Sequence, residues 1–282
     1  MQASARGLNW VNVGVLAGVH GLAVAGALWS VFHFSWATLA LTFVWMVCSG
    51  LAITGGYHRL FAHPTYQARG PLKWFYLLFG AACVQNSALK WASDHRRHHA
   101  QTDREQDPYN IRKGFWWAHI GWVLAKDPPA DMANVGDLSD DRAVRFQHAA
   151  YVPLALFVGI AVPAAIASLW GDAVGGILVA GFLRLALVYH ATFSINSLAH
   201  TIGSRPYDRK TSARDSALTA ILALGEGYHN FHHSFPGDYR NGIRAWHFDP
   251  TKWWIWTADK VRLAKNLRRT PPDVIARARA EA

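Results

Sequence analysis

From Gly7 to Tyr57 the chain carries no Asp, Glu, Lys or Arg. At about 20 residues per crossing, that run predicts two transmembrane helices, 9–31 and 36–57, joined by a tight turn near Ser30 to Trp36. A second apolar stretch, interrupted at Gly171-Asp172, predicts two more helices at 151–170 and 174–199, with Tyr151 and Trp170 as interfacial anchors. The first apolar segment lacks a small-residue cleavage site and continues directly into a second span, so it reads as a retained anchor and not as a removed signal peptide. Segments 58–150 and 200–282 are polar, and no repeat or low-complexity linker divides them. The pattern predicts an all-α integral membrane protein forming a single domain over 1–282, with four transmembrane helices in two hairpins and a helical cap.

Three shorter apolar segments need a different reading. Trp74 to Leu89 is uncharged for 16 residues between Lys73 and Lys90. If it crossed the membrane, the histidines on either side of it would lie on opposite faces, so it is expected to be interfacial or re-entrant. Phe115 to Ala125 and Trp253-Trp254-Ile255-Trp256 are short, aromatic and bordered by lysines, which suits helices in the headgroup layer or in the cap itself.

Composition and charge refine this picture. Hydrophobic residues make up 51% of the chain, which holds 14 Trp, yet the mean hydropathy is only +0.05 because apolar runs alternate with basic ones. Apart from Arg184, every Lys and Arg lies before the first span, between the hairpins or after the second hairpin. The positive-inside rule then places both termini and the cap on the cytoplasmic side, in the inner membrane if the source is bacterial. Arg184 is a cation inside a span, and Asp172 is too distant along the helix to be its evident partner. The net charge of +10 suits anionic lipid, a phosphate-bearing substrate or an acidic electron donor. Cys48 and Cys83 sit in apolar stretches with no metal or disulfide spacing, as buried small hydrophobes.

The chemistry lies in the 15 histidines. In Asp94-His95-Arg96-Arg97-His98-His99 and His229-Asn230-Phe231-His232-His233, histidines at i, i+3 and i+4 share one face of a helix, where side chains converge on a metal. His58 and His63 are five apart and precede Pro64, so His63 is expected at or beyond a helix end. These eight imidazoles exceed the four ligands of one tetrahedral zinc, which argues for two metals, and imidazole suits Fe, Cu and Zn alike. Asp94, Asp103, Glu105, Asp107 and Glu226 are candidate acceptors for ring N–H groups, Glu226 standing three before His229. His20, His33, His119, His148, His190 and His247 read as structural. There is no Gly-x-Ser-x-Gly nucleophile motif, and Gly225-Glu226-Gly227 lacks the third glycine of a dinucleotide loop.

With its three histidine boxes in this order between these spans, the chain resembles the stearoyl-CoA desaturases, of bacterial type, over nearly its whole length. The resemblance extends to Gln85-Asn86, Trp91, the Asn196 to His200 segment, the Arg205 to Asp208 segment and the Phe235 to Tyr239 segment. It implies an O2-dependent desaturase that places a cis double bond, at the ninth carbon, in a saturated acyl chain. It implies two Fe2+ ions held by His58, His63, His95, His98, His99, His200, His229, His232 and His233, with Asn196 acting through a water. His200 has no such assignment from spacing alone. Gln85, Asn86, Trp91, Asp94, Thr192 and Phe193 would line the substrate tunnel. The implied partners are fatty acyl-CoA or another acyl lipid, O2, membrane lipids and an external donor such as a ferredoxin, rubredoxin or cytochrome with its reductase, and no nucleic acid. No His-Pro-Gly-Gly motif marks a fused cytochrome b domain. Animal members of the family carry Arg where Ser93 stands and Trp where Phe193 stands, which leaves Arg96, Arg97, Arg112, Lys113 and Lys126 as candidates to meet the carrier phosphates. Met46 and Gly50 are candidates to close the tunnel. A membrane hydroxylase or ketolase, or a metal-binding transporter or sensor, is the alternative.

Overall fold

The computed structural model describes residues 7–126 and 132–282, so Arg6 lies outside the described residues. Four helices among these are long and apolar enough to cross a membrane: Trp10–Phe32, Trp36–Ala62, Tyr151–Ser168 and Ala173–His200. Short polar caps start three of them. Asn9 accepts from the Asn12 N–H, Ser35 from the Thr38 N–H and Asp172 from the Gly175 N–H, satisfying donors that a helix start leaves orphaned. Asp172 also accepts from the Trp29 indole at 3.1 Å and the Thr38 hydroxyl at 2.5 Å, so one carboxylate ties together the turn ends of both hairpins.

Arg184 finds its partners elsewhere. Fully buried, it donates to the carbonyls of Ala82 at 2.9 Å, Gly159 at 3.1 Å and Ala180 at 3.2 Å. Backbone oxygens thus solvate a cation for which no carboxylate partner is found among the described residues. The Ala82 contact matters because it belongs to the ambiguous segment 74–89. There the helix Gly70–Ala81 ends, the chain turns through Val84 (φ 50°) and Asn86 (φ 75°), and it returns as the helix Ala88–Gln101. The segment dips among the spans and does not cross.

The second span continues to Ala62, five residues past the expected end, and its last part, Ala52–Ala62, is π-wound. A close mutual fit accompanies the change of winding. A Cβ on Gly56 would meet Tyr76 at 2.5 Å, and one on Gly80 would overlap Tyr57, so only glycines let this span and the Gly70–Ala81 helix approach so closely. Tyr57, Tyr76, Leu77, Ala92 and Ile255 continue that contact into the main buried cluster. The remaining aromatic segments pack around it. Trp117–Gly121 and Trp122–Leu124 lead to the first span, where the Asn9 N–H meets the Leu124 carbonyl at 2.8 Å. In the helix Pro250–Lys260, Ile255 is buried while Trp253 and Trp256 are exposed. A two-stranded antiparallel pairing of Gln67–Ala68 with Ala264–Lys265 fixes the C-terminal segment beside the first box.

Candidate metal centre

Nine imidazoles meet in two groups. His58, His63, His95, His99 and His232 form one, and His98, His200, His229 and His233 form the other; within each, one nitrogen per ring lies within 4.8 Å of all the others. The i, i+3, i+4 triplets do not each converge on one point, as their shared helix face had suggested. His95 and His99 go to the first group and His98 to the second, while His229 and His233 go to the second and His232 to the first. Each triplet therefore bridges the pair, while His58 and His63 stay together in the first group.

The five-residue spacing of the first box has its own cause. The His63 N–H donates to the His58 carbonyl at 3.1 Å, an i→i+5 bond that closes the last π turn. At 3.6 residues per turn, residues five apart would diverge, but this winding brings the two rings to 5.0 Å between centroids. His63 caps the helix, where Pro64 had suggested. His200 joins from the C-terminal end of the fourth span, its Nε2 3.1 Å from that of His229.

The ring nitrogens reveal the electrostatics. His58 Nδ1 lies 2.8 Å from Glu226 and His98 Nδ1 lies 2.8 Å from Asp107. A carboxylate only accepts, so each Nδ1 carries the proton and each Nε2 presents a lone pair. Those lone pairs face other Nε2 atoms, at 2.9 Å between His58 and His232 and 3.3 Å between His98 and His233. Neutral imidazoles so arranged repel unless a cation sits among them. Burial, and then the mutual field of the rings, pushes His63, His95, His99, His229, His232 and His233 well below the ordinary histidine range, which keeps them in the form that binds metal. The residues present fit two cations.

Behind His58 stands a network that spacing did not reveal. Glu226 accepts from Arg59 at 2.8 Å and Asn241 at 2.7 Å, and Arg59 reaches Asp249 at 3.0 Å, all four residues being buried. Burial alone would raise the Glu226 carboxyl, but His58 and Arg59 hold it down at about 2. The available signal was Arg59, an arginine directly following a histidine at the end of an uncharged run. Behind the second group, Asp107 sits with its carboxyl held low against the raising effect of burial by His98 and by two backbone N–H groups. His200 Nδ1 meets the Ser212 hydroxyl at 2.7 Å, and the Ser212 N–H meets Asp103. Asp94 is instead engaged by Lys90 and Arg97, and Glu105 is exposed.

A cavity of about 530 Å³ opens beside the groups, lined by Gln85, Asn86, Trp91, Asp94, Thr192, Phe193 and Asn196 together with His58, His95, His98 and His229. Its wall is braced. Gln85 donates to the Thr192 hydroxyl at 2.9 Å, the Asn86 N–H to the Tyr151 hydroxyl at 3.0 Å, and Trp91 stacks on His95. Met46 and Gly50 line a neighbouring cavity of about 160 Å³ that shares Ile53, Thr54, Thr192 and Ile195 with the first. Ser93 is buried against Asn134 and takes no part in the lining. Arg96 is committed to Asp137 and Arg97 to Asp94, whereas Arg112, Lys113 and Lys126 are exposed. The other histidines lie apart. His20, His190 and His119 form a chain ending on Ser197, His148 meets Ser87, and His33 and His247 stack on Trp29 and Tyr228.

Residues 34–260 match the fatty acid desaturase family model. The chain belongs to the fatty acid desaturase family. It is 44% identical over 278 residues to a probable acyl-CoA desaturase of Schizosaccharomyces pombe, covering 98% of this chain and 58% of that protein. It is 41% identical to acyl-CoA desaturase 1 of Saccharomyces cerevisiae, covering 96% and 54%, and 38% identical to the Delta(9)-fatty-acid desaturase fat-7 of Caenorhabditis elegans, covering 95% and 81%. The chain thus spans somewhat more than half the length of the two yeast relatives.

Proposed function

We propose that this membrane protein is an O2-dependent desaturase that places a cis double bond, at the ninth carbon, in the acyl chain of a fatty acyl-CoA or a related acyl lipid. The observation that carries the reading is the juxtaposition of nine inward-turned imidazoles with one face of an apolar cavity. The names of the relatives support the substrate class.

The nine histidines would hold two iron ions, with Asn196 as an outer partner of the second through a water. Iron at such a site supplies the one-electron oxidising chemistry that an unactivated methylene requires, because a C–H bond of that kind has no acidity for a base to exploit. The side chains do the rest. The braced wall of Gln85, Asn86 and Thr192 fixes where the chain bends, and Trp91, Asp94 and Phe193 confine it, so that one pair of carbons lies against His58, His95, His98 and His229. Glu226 and Asp107 orient His58 and His98 and hold a ring proton on Nδ1, so that each Nε2 is the atom turned toward the metal. Exposed Arg112, Lys113 and Lys126 are the cations free to meet a carrier phosphate. Electrons would come from a one-electron donor protein, and the cap and both termini would face the cytoplasm.

Gas chromatography with double-bond location, on lipids from cells expressing the protein and a His229→Ala control, tests the reading. A new cis-9 olefin absent from the control is expected. A hydroxylated chain without olefin would replace desaturation by oxygen insertion.

A further inference from the structure

Among the described residues, two aromatic side chains other than histidine rest on ligand rings, one at each group. Trp91 stacks on His95 in the five-histidine group, 4.9 Å between centroids, and Tyr109 lies tilted on His98 in the four-histidine group at 5.2 Å. What stands behind them differs. Next to Trp91, at 6.0 Å, is Tyr57, fully buried and accepting from Gln147. Next to Tyr109, at 4.5 Å, is Trp122, which is partly exposed and lines the acyl cavity. The first pair ends inside the protein, and the second ends where a small molecule in the empty cavity can reach it.

A ligand support places Tyr109. Asp107 accepts from His98 Nδ1 at 2.8 Å and from the Tyr109 N–H at 2.9 Å, so the carboxylate that orients the ligand also sets the phenol ring against it. Trp122 packs beside the buried cluster of the first and fourth spans, its ring edge-on to Phe193 at 6.3 Å. The Trp122 Nε1 is buried without a hydrogen-bond partner. An indole with no acceptor keeps its N–H proton, so it gives up an electron alone and takes one back without rearrangement. Phenol and indole are the aromatic side chains that lose one electron most readily, and rings in contact exchange an electron far faster than a turnover of about 10 per second.

We infer that Tyr109 and Trp122 form a one-electron relay that discharges the four-histidine group when O2 is reduced with no acyl chain in the cavity. This rests on the desaturase reading. Taking O2 to two waters needs four electrons and four protons. In productive turnover the external donor gives two electrons, solvent gives two protons, and the acyl chain gives two hydrogen atoms. Without an acyl chain the reduction stops two electrons short. Trp122 supplies these one at a time through Tyr109, solvent supplies the remaining protons, and a thiol or ascorbate entering the empty cavity refills Trp122 and is itself oxidised. An acyl chain both covers Trp122 and provides the hydrogens, so the relay idles while substrate is bound. Without the relay, the same oxidising power falls on the ligand ring of His98.

The test exposes the full chain in detergent, loaded with Fe2+ under anaerobic conditions, once to O2 with catalase present and neither acyl-CoA nor reductant. The two irons give two electrons, so the other two must come from side chains. Peptide mass spectrometry locates the oxidised residues, and freeze-quench electron paramagnetic resonance detects a radical. Trp116, 72% exposed, reports diffusing oxidants in the same sample. Oxidation at Trp122 is expected severalfold above that at Trp116, with an aromatic radical, and saturating acyl-CoA should suppress both. Tyr109→Phe should spare Trp122 and shift oxidation to His98, whereas Tyr109→Trp should restore oxidation at Trp122, which separates electron transfer from a change of shape. Equal oxidation of Trp116 and Trp122, oxidation of Trp91 with Trp122 untouched, or undiminished Trp122 oxidation in Tyr109→Phe would overturn the relay. The sample with acyl-CoA reads the desaturase assignment separately. Olefin there, with Trp122 untouched when acyl-CoA is left out, sinks the relay alone, and no O2 uptake in either sample sinks both.

Discussion

In the five-histidine group, His58 rests on Glu226, which Arg59 and Asn241 clamp from behind and Asp249 extends. In the four-histidine group, His98 rests on Asp107 and His200 on Ser212. The first support joins the end of a transmembrane helix to two parts of the cap through buried ions. The second is built from loop residues 103–110 and 212, whose carboxylates are held by backbone N–H groups. Identical ligand chemistry thus sits on two different foundations. A buried ion network is costly to break at any one member, whereas a loop held by a few hydrogen bonds opens locally at lower cost. The five-histidine ion should therefore be the more tightly kept.

The harshest test of the contrast removes one ligand from each group. His229→Ala should abolish olefin formation and leave about one iron per chain, the ion of the five-histidine group. His232→Ala should also abolish activity, yet lose less iron, because four imidazoles and the Glu226–Arg59 network remain at that group, whereas His229→Ala leaves three imidazoles on loop supports. Iron content by atomic absorption, read beside product analysis, distinguishes the two. Equal iron loss in both variants would erase the proposed difference between the foundations.

Next in size are the supports themselves. Glu226→Gln and Asp107→Asn should each weaken metal retention by about 10- to 100-fold, but only Glu226→Gln should also cost about 3 kcal/mol of stability, because Arg59 then keeps a single buried carboxylate, Asp249. Thermal unfolding of the metal-free proteins shows the difference. The pH dependence carries a matching sign. Glu226 is held down at about 2 against about 4.3 in an unfolded chain. Its contribution is therefore complete above about pH 4.3 and is lost as the pH falls toward 2. Glu226→Gln should flatten stability over that window, and a variant that still tracks the wild type there would remove the ion network from the account.

A third change leaves both groups intact and alters only the cavity beside them. Arg184 holds the Ala82 carbonyl, and the Tyr189 hydroxyl holds that of Val84 at 3.0 Å. Together they fix a loop in which a β-branched residue keeps a positive φ. Arg184→Met should free that loop, raising KM several-fold with iron content unchanged. A fall in iron content instead would show that the loop supports the centre and not the substrate.

The sequence carried much of this but not the contrast. Spans were legible because charge is absent from Gly7 to Tyr57, and the boxes because histidine is rare enough for repeated spacing to stand out. What spacing could not show is how each triplet divides. Histidines at i and i+4 stay together and the one between them crosses to the other ion, a matter of where the two helices cross and not of periodicity. The π-wound end of the second span was equally hidden, and so was the close fit beside it, in which Gly56 and Gly80 meet Tyr76 and Tyr57 across two helices. His200 came from resemblance alone. Asp249 stands just before Pro250 in the position of a helix cap, and it does cap that helix through the Lys252 N–H; its ion pair with Arg59 is a long-range contact that no local pattern encodes.

The smallest expected effect concerns Gly50, and it asks whether the cavity continues past the first group. Met46 and Gly50 line the 160 Å³ space, which the larger cavity meets at Ile53, Thr54, Thr192 and Ile195. If the acyl tail runs through that junction, filling the space from its far wall shortens the chain that fits without touching a ligand. A Cβ on Gly50 would overlap Leu224, a flexible side chain that also lines the space, so added bulk there intrudes on it. Gly50→Val should therefore move the preferred substrate two to four carbons shorter, a discrimination of about 10-fold from roughly 1 to 3 kcal/mol per misplaced methylene, with iron content and the position of the double bond unchanged. Position is set where the chain passes the histidines, and length where it ends. A product profile identical to wild type would place the tail elsewhere, and a moved double bond would mean that the two ends of the cavity are not independent.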